Sequence, residues 1–148
     1  MLIRSISGVR GITPTHLNDL IIKSYAQAFH SILPDGIIYC GRDSRSSGEN
    51  FLHIFYGELI LLGRDVIVCD IVPTPTIQFM VEKTEAVGGV IITASHNPTE
   101  WNGMKFVNAK GTFFDLDSAQ NCSILLIKIS KYSLLKLLEC IFLIKMLI

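Results

Sequence analysis

Up to Asp117 the chain alternates short apolar runs with longer stretches in which apolar residues recur at helical spacing. Residues 2–6 alternate weakly and predict a first strand. Residues 37–40, 66–69 and 90–92 are continuous apolar runs, the pattern of strands buried on both faces. Three amphipathic helices fall between and before them. The first has Thr15 as N-cap and Leu17, Leu20, Ile21, Tyr25, Ala28, Phe29 and Ile32 on one face. The second carries Phe51, Leu52, Phe55, Leu59 and Leu62, with Gly63 placed to follow its last turn. The third starts at Thr74-Pro75 and presents Ile77, Met80 and Val81. Asn102-Gly103 predicts a tight turn, and residues 104–107 a final strand. Strands alternating with helices predict an α/β fold: a three-layer α/β/α sandwich with a mostly parallel mixed sheet, over residues 1–120.

Right-handed crossovers place the loops that follow parallel strands on one edge of such a sheet, where ligands bind. Three loops deserve chemistry on that ground. Ser7-Gly8-Val9-Arg10-Gly11 sets one arginine between glycines: a surface turn with a solvated Arg10, or a close backbone approach with a guanidinium fork for a phosphate. Gly41-Arg42-Asp43-Ser44-Arg45 is either a local salt-bridge cluster or one wall of an anion site. Thr93-Ala94-Ser95-His96-Asn97-Pro98 ends its strand abruptly, because Pro98 lacks an N–H and restricts Asn97. Ser95 and His96 should therefore sit on a loop beyond the strand's carboxyl end, and the strand after Asn102-Gly103 could bring Lys105 back near Ser95.

Composition narrows the classes. The 148 residues carry 13 basic and 13 acidic side chains, a balance that gives no reason to expect nucleic acid or an anionic membrane as partner. Cys40, Cys69, Cys122 and Cys140 lack C-x-x-C spacing and read as small buried hydrophobes in a reducing compartment. Met1-Leu2-Ile3 is too short for a targeting segment, so a cytoplasmic location is expected. A serine hydrolase using Ser95 and His96 is disfavoured: adjacent loop residues project apart, and no G-x-S-x-G elbow is present. Neither G-x-G-x-x-G nor a Walker sequence marks a nucleotide site.

The stretch Thr93-Ala94-Ser95-His96-Asn97-Pro98, followed by Asn102-Gly103-Met104-Lys105, closely resembles the active-site loop of the phosphohexomutases: phosphomannomutase, phosphoglucomutase and phosphoglucosamine mutase. The resemblance runs from about Ile3 to about Asp117. It implies an isomerase activity, the interconversion of hexose 1-phosphate and hexose 6-phosphate, with Ser95 as the phosphate carrier. It further implies Lys105, His96 and Arg10 as catalytic partners, and Arg42, Asp43, Asn97 and Asn102 in the phosphate and substrate environment. The expected substrate is a phosphosugar, with a hexose 1,6-bisphosphate as activator. Mg²⁺ is expected to bind through a phosphate oxygen on Ser95. The family's aspartate-rich D-G-D-x-D-R loop has no counterpart here; Asp115 and Asp117 fit a turn instead.

Residues 121–148 are rich in Ile, Leu and Lys, without Gly or Pro, and are interrupted too often by charge for an ordinary membrane span. They resemble nothing in the family and suggest a frameshift or truncation. The chain is thus expected to be a mutase fragment inactive alone, prone to self-association through apolar surface left exposed. The alternative is a non-catalytic binding or regulatory remnant of the same fold.

Overall fold

Which strands run parallel is decided by what connects them. In the computed structural model, which describes residues 1–6 and 8–115 with Asp117 and Asn121, six strands form one sheet in the order β1-β2-β6-β5-β3-β4. β1 (Ile3–Ser5) and β2 (Gly8–Ile12) precede α1 (Asp19–Ile32); β3 (Ile38–Arg42), α2 (Gly48–Leu61), β4 (Val66–Ile71), α3 (Thr74–Lys83) and β5 (Gly88–Ile92) follow, and β6 (Trp101–Asn108) closes the sheet. Only β3/β4 and β3/β5 pair in parallel, and these strands are joined through α2 and α3. β1/β2, β2/β6 and β5/β6 are antiparallel. The expectation of a mostly parallel sheet is therefore wrong: the sheet is mixed and mostly antiparallel. A parallel neighbour needs a crossover of a dozen or more residues, and neither the β1–β2 link nor residues 93–100 provide one. The loop expected around Arg10 is itself strand β2, and Asn102-Gly103 lies inside β6 rather than in a turn.

The three layers are as expected. Ile38, Cys40, Val90, Ile92, Met104 and Phe106 face α1 and α2, while Tyr39, Ile91 and Val107 face α3, the two-residue period of strands covered on both sides. Phe29 of α1 is the hub of the larger core, with ring centroids 6.0, 5.2 and 5.6 Å from Phe55, Phe106 and Phe114. Each such buried side chain contributes about 1.5–3 kcal/mol. β4, expected to be buried on both faces, is instead an edge strand: Ile67, Val68 and Ile71 are exposed, as is Leu61 at the end of α2. Among the described residues no helix is long and apolar enough to cross a membrane. Residues beyond 121, with Cys122, Cys140 and the Ile/Leu/Lys-rich segment, lie outside the described residues.

The start of α1 differs from the pattern for a local reason, while its end falls as expected before Pro34. Thr13 N–H donates to the Glu100 carbonyl, and His16 and Leu17 N–H both donate to that of Ile12, so this stretch is spent on a turn. α1 starts three residues later than expected, on Asn18, whose side chain accepts from Ile21 N–H. Leu20 then points to solvent, 75% exposed, and Ile22 and Ala26 take the core positions. At the other end of α1, Arg64 closes the helix from outside. Its guanidinium donates to the carbonyls of His30, Leu33 and Pro34, and Nε donates to His30 Nδ1 at 2.9 Å. Arg64 is buried, and it supplies donors to last-turn carbonyls that a helix leaves unpaired.

Two outcomes follow. Arg64→Met should lower stability by about 2–3 kcal/mol in denaturant titration, because several buried acceptors lose a charged donor at once. Burial, then the adjacent Arg64 charge, hold His30 below the ordinary histidine value, against the opposing pull of Asp35. A depressed folded pKa means that this contribution is present above about pH 6.5 and is lost as pH falls from there through the folded value. His30→Asn, which keeps an acceptor for Arg64, should flatten that part of the stability–pH curve.

Candidate active site

β5 is buried along its whole length and delivers the chain into residues 93–100. The loop turns at Ser95, a non-glycine residue at φ +58°, in the left-handed region. Such a backbone costs about 1–3 kcal/mol and persists only where its surroundings impose it. Those surroundings form a short chain of hydrogen bonds. Ser95 N–H donates to Thr93 Oγ1 at 2.9 Å, Thr93 Oγ1–H donates to Asp43 Oδ2 at 2.6 Å, and Asp43 also accepts from Arg45 Nε at 3.1 Å. The Asp43 amide donates in turn to the Ile92 carbonyl, so the β3 loop is fastened to the end of β5.

The Ser95 side chain faces outward, and Lys105 Nζ donates to its Oγ at 3.0 Å. The antiparallel register of β5 and β6 explains this contact: Lys105 pairs with Ile91, so the strand that leaves the loop carries Lys105 back past it. The Lys105 ammonium also lies 5.4 Å from the Phe113 ring centre, which steadies its position. Arg10 projects from β2 within the sheet, not from a loop, and Nη1 donates to Asn97 Oδ1 at 3.0 Å. Ser95, Arg10, His96 and Lys105 line one cavity of about 300 Å³. Ser95 and Asn97 also border a second, of about 540 Å³, together with Asp43 and Arg45. The first lies in the size range of small-ligand sites, and its two cations could balance an anion on Ser95 Oγ.

Not every expected residue reaches this place. Arg42 turns the other way and pairs with Asp70 of β4, Nε to Oδ1 2.8 Å. Asn102 is fully buried, bonded to Ser47 Oγ and to the Gly103 amide, and so joins β6 to the start of α2 rather than lining a cavity. The arginine that does reach the loop is Arg45, which donates to the carbonyls of Ser95, Asn97, Pro98 and Trp101. Its sequence signal was the second arginine of Gly41-Arg42-Asp43-Ser44-Arg45. Mg²⁺ finds no ready-made set of ligands: among the described residues no three His, Cys, Asp or Glu side chains cluster, and both oxygens of Asp43 are already bonded. Cys40 is wholly buried, and burial with neighbouring Cys69 pushes its thiol far up, which leaves it unreactive.

A serine–lysine hairpin with an arginine beside it thus stands at the edge of an α/β/α domain. The pattern of phosphoglucomutase/phosphomannomutase α/β/α domain I matches residues 2–132, and the chain belongs to that family. It is 37% identical over 108 residues to the phosphoglucosamine mutase of Clostridium beijerinckii, covering 70% of this chain and 24% of that one. The phosphoglucosamine mutase of Clostridioides difficile is likewise 37% identical, over 112 residues, 73% of this chain and 25% of its own. The crystal structure of a Thermus thermophilus protein provisionally named a phosphomannomutase superposes with a TM-score of 0.80 at 29% identity, over 84% of this chain and 30% of that chain. The chain thus spans about a quarter of the length of the curated relatives it matches.

Gly103 shows how closely the site's strands are fitted. A Cβ there would lie 2.4 Å from the Val9 carbonyl oxygen and 2.8 Å from that of Thr93, both main-chain atoms that cannot swing aside. Gly103→Ala should cost about 1–3 kcal/mol in thermal or denaturant unfolding. Gly57→Ala in α2, where a Cβ meets nothing within 4 Å, should instead stabilise by about 0.4–1 kcal/mol.

Proposed function

We propose that this chain is the catalytic-serine domain of a phosphohexomutase, in which Ser95 carries the phosphoryl group that is exchanged with a hexose phosphate. The observation that carries this reading is the Lys105 ammonium at 3.0 Å from the outward-facing hydroxyl of a serine held in a left-handed backbone. A hydroxyl so placed is open to a ligand, and the charge of its phosphate meets a fixed cation rather than water alone. In the forward step the bond from phosphorus to Ser95 Oγ breaks as a bond forms from phosphorus to a sugar hydroxyl oxygen. The proton of that hydroxyl leaves to a base, the role we assign to His96 on the same cavity, while Lys105 Nζ, which donates to Ser95 Oγ, returns a proton to the departing oxygen. Lys105 and Arg10 balance the charge shared between the two oxygens, and Asn97 keeps the Arg10 guanidinium turned toward the loop. The reverse sequence returns a phosphoryl group from the bisphosphate to Ser95.

Mg²⁺ would neutralise phosphate charge in such a transfer. The described residues, apart from a phosphate on Ser95, provide no carboxylate set for the ion. They account for the donor side of the reaction: carrier, cations and loop. Several relatives are phosphoglucosamine mutases, which makes glucosamine phosphates the first substrates to try, ahead of glucose and mannose phosphates.

The test is phosphoryl acceptance. The purified chain, incubated with glucosamine, glucose or mannose 1,6-bisphosphate and Mg²⁺, should gain one phosphoryl group by intact mass, without sustained conversion of 1-phosphate to 6-phosphate. Ser95→Ala should gain none, and Lys105→Met should gain it about 100-fold more slowly. A wild-type chain that takes up no phosphate from any of the three contradicts the assignment.

A further inference from the structure

The loop that carries Ser95 is wrapped around a largely covered cation. The Arg45 side chain is only 12% exposed, and its guanidinium has five N–H donors. All five are in use: Nε to Asp43 Oδ2, Nη1 to the carbonyls of Pro98 at 2.6 Å and Trp101 at 2.9 Å, and Nη2 to those of Ser95 and Asn97, both at 2.7 Å. We propose that Arg45 is a positioning residue: it fixes the Ser95 peptide in the orientation that presents Oγ to Lys105, and does so without touching the transferred group. This rests on the assignment of Ser95 as phosphate carrier.

Three physical points support it. First, the Ser95 carbonyl is drawn inward to Nη2. In a planar trans peptide the N–H lies opposite the C=O, so the His96 N–H is turned away from Arg45, and the negative end of the dipole is kept from an anion on Oγ. Second, the two ends of Ser95 are held by one assembly. Its carbonyl is on Arg45, and its N–H is on Thr93, which donates to the same Asp43 carboxylate that Arg45 grips. Fixing both peptides flanking one residue is what an unfavourable positive φ requires. Third, the contact geometry selects arginine. Four carbonyls and a carboxylate arranged around a planar fork cannot be matched by the three donors of a lysine ammonium. Arg42, three residues earlier, is committed to Asp70 and cannot substitute.

The experiment uses the full 148-residue chain and two readouts, amide hydrogen exchange and phosphoryl uptake from glucose 1,6-bisphosphate. In Arg45→Lys, exchange at the Ser95 amide should rise at least about tenfold while the β5 and β6 amides of Val90 and Met104 keep their protection. Uptake should fall about 100-fold, the order expected for a misplacement near 1 Å. In Arg45→Ala, millimolar guanidinium should restore part of both, and ammonium should not. Unchanged Ser95 exchange in Arg45→Lys overturns the proposal. So does loss of protection at Val90 and Met104 in both variants, since Arg45 would then hold the fold rather than the loop. Wild-type chain that takes up no phosphate refutes the carrier role of Ser95 instead, and the exchange comparison still decides whether Arg45 orients that peptide.

Discussion

The site depends on holding a serine in a backbone conformation that serine avoids. Ser95 at φ +58° is not stabilised by its own sequence; two peptides, one threonine and an ion pair beneath the loop hold it. Each element of the fold contributes to that constraint. β5, buried on both faces, fixes where the loop begins, β3 brings Asp43 and Arg45 underneath, and β6 fixes where it ends. The energy stored in one residue is small beside the core that supports it, where Phe29, Phe55 and Phe106 alone bury three large rings.

The mixed sheet is what makes the chemistry local. Had β5 led through a helix to a parallel neighbour, the next strand would have started at the opposite edge, far from Ser95. The direct antiparallel return places Lys105 beside the hydroxyl ten residues after it, and β2, antiparallel to β6, adds Arg10 from the far side. The serine, on the loop between β5 and β6, and the two cations, on β6 and β2, therefore line one cavity.

Much of this was legible in the sequence because it is local. The hydrophobic pattern located all three helices and five of the six strands, all but β2, and Ser95, Asn97 and Lys105 stood in one short pattern. What escaped depended on partners distant along the chain. Asn102-Gly103 has the composition of a turn, yet pairing with Arg10 and Gly11 keeps it extended, and Gly103 serves close approach to Val9 and Thr93 rather than chain reversal. The helix-bearing connections suggested parallel strands, while the hairpins at both ends of the pattern set the majority direction. Arg42 and Arg45 are the same residue type three positions apart. Which one meets the loop is decided by the shifted β3–β4 register and by Asp70, neither visible locally. Arg64 gave no signal at all, since its partners, three carbonyls and the His30 ring, lie 30–34 residues earlier in the chain.

The most direct test of this account is the conformation of Ser95 in solution. In isotopically labelled chain, the intraresidue amide-to-α-proton NOE of Ser95 should have the high intensity that only a positive φ produces, and the Lys105 ε-methylene protons should show NOEs to the Ser95 β-protons. An extended Ser95 with a weak intraresidue NOE, or a Lys105 side chain turned to solvent, would contradict the claim that the fold exists to present this serine to its cation.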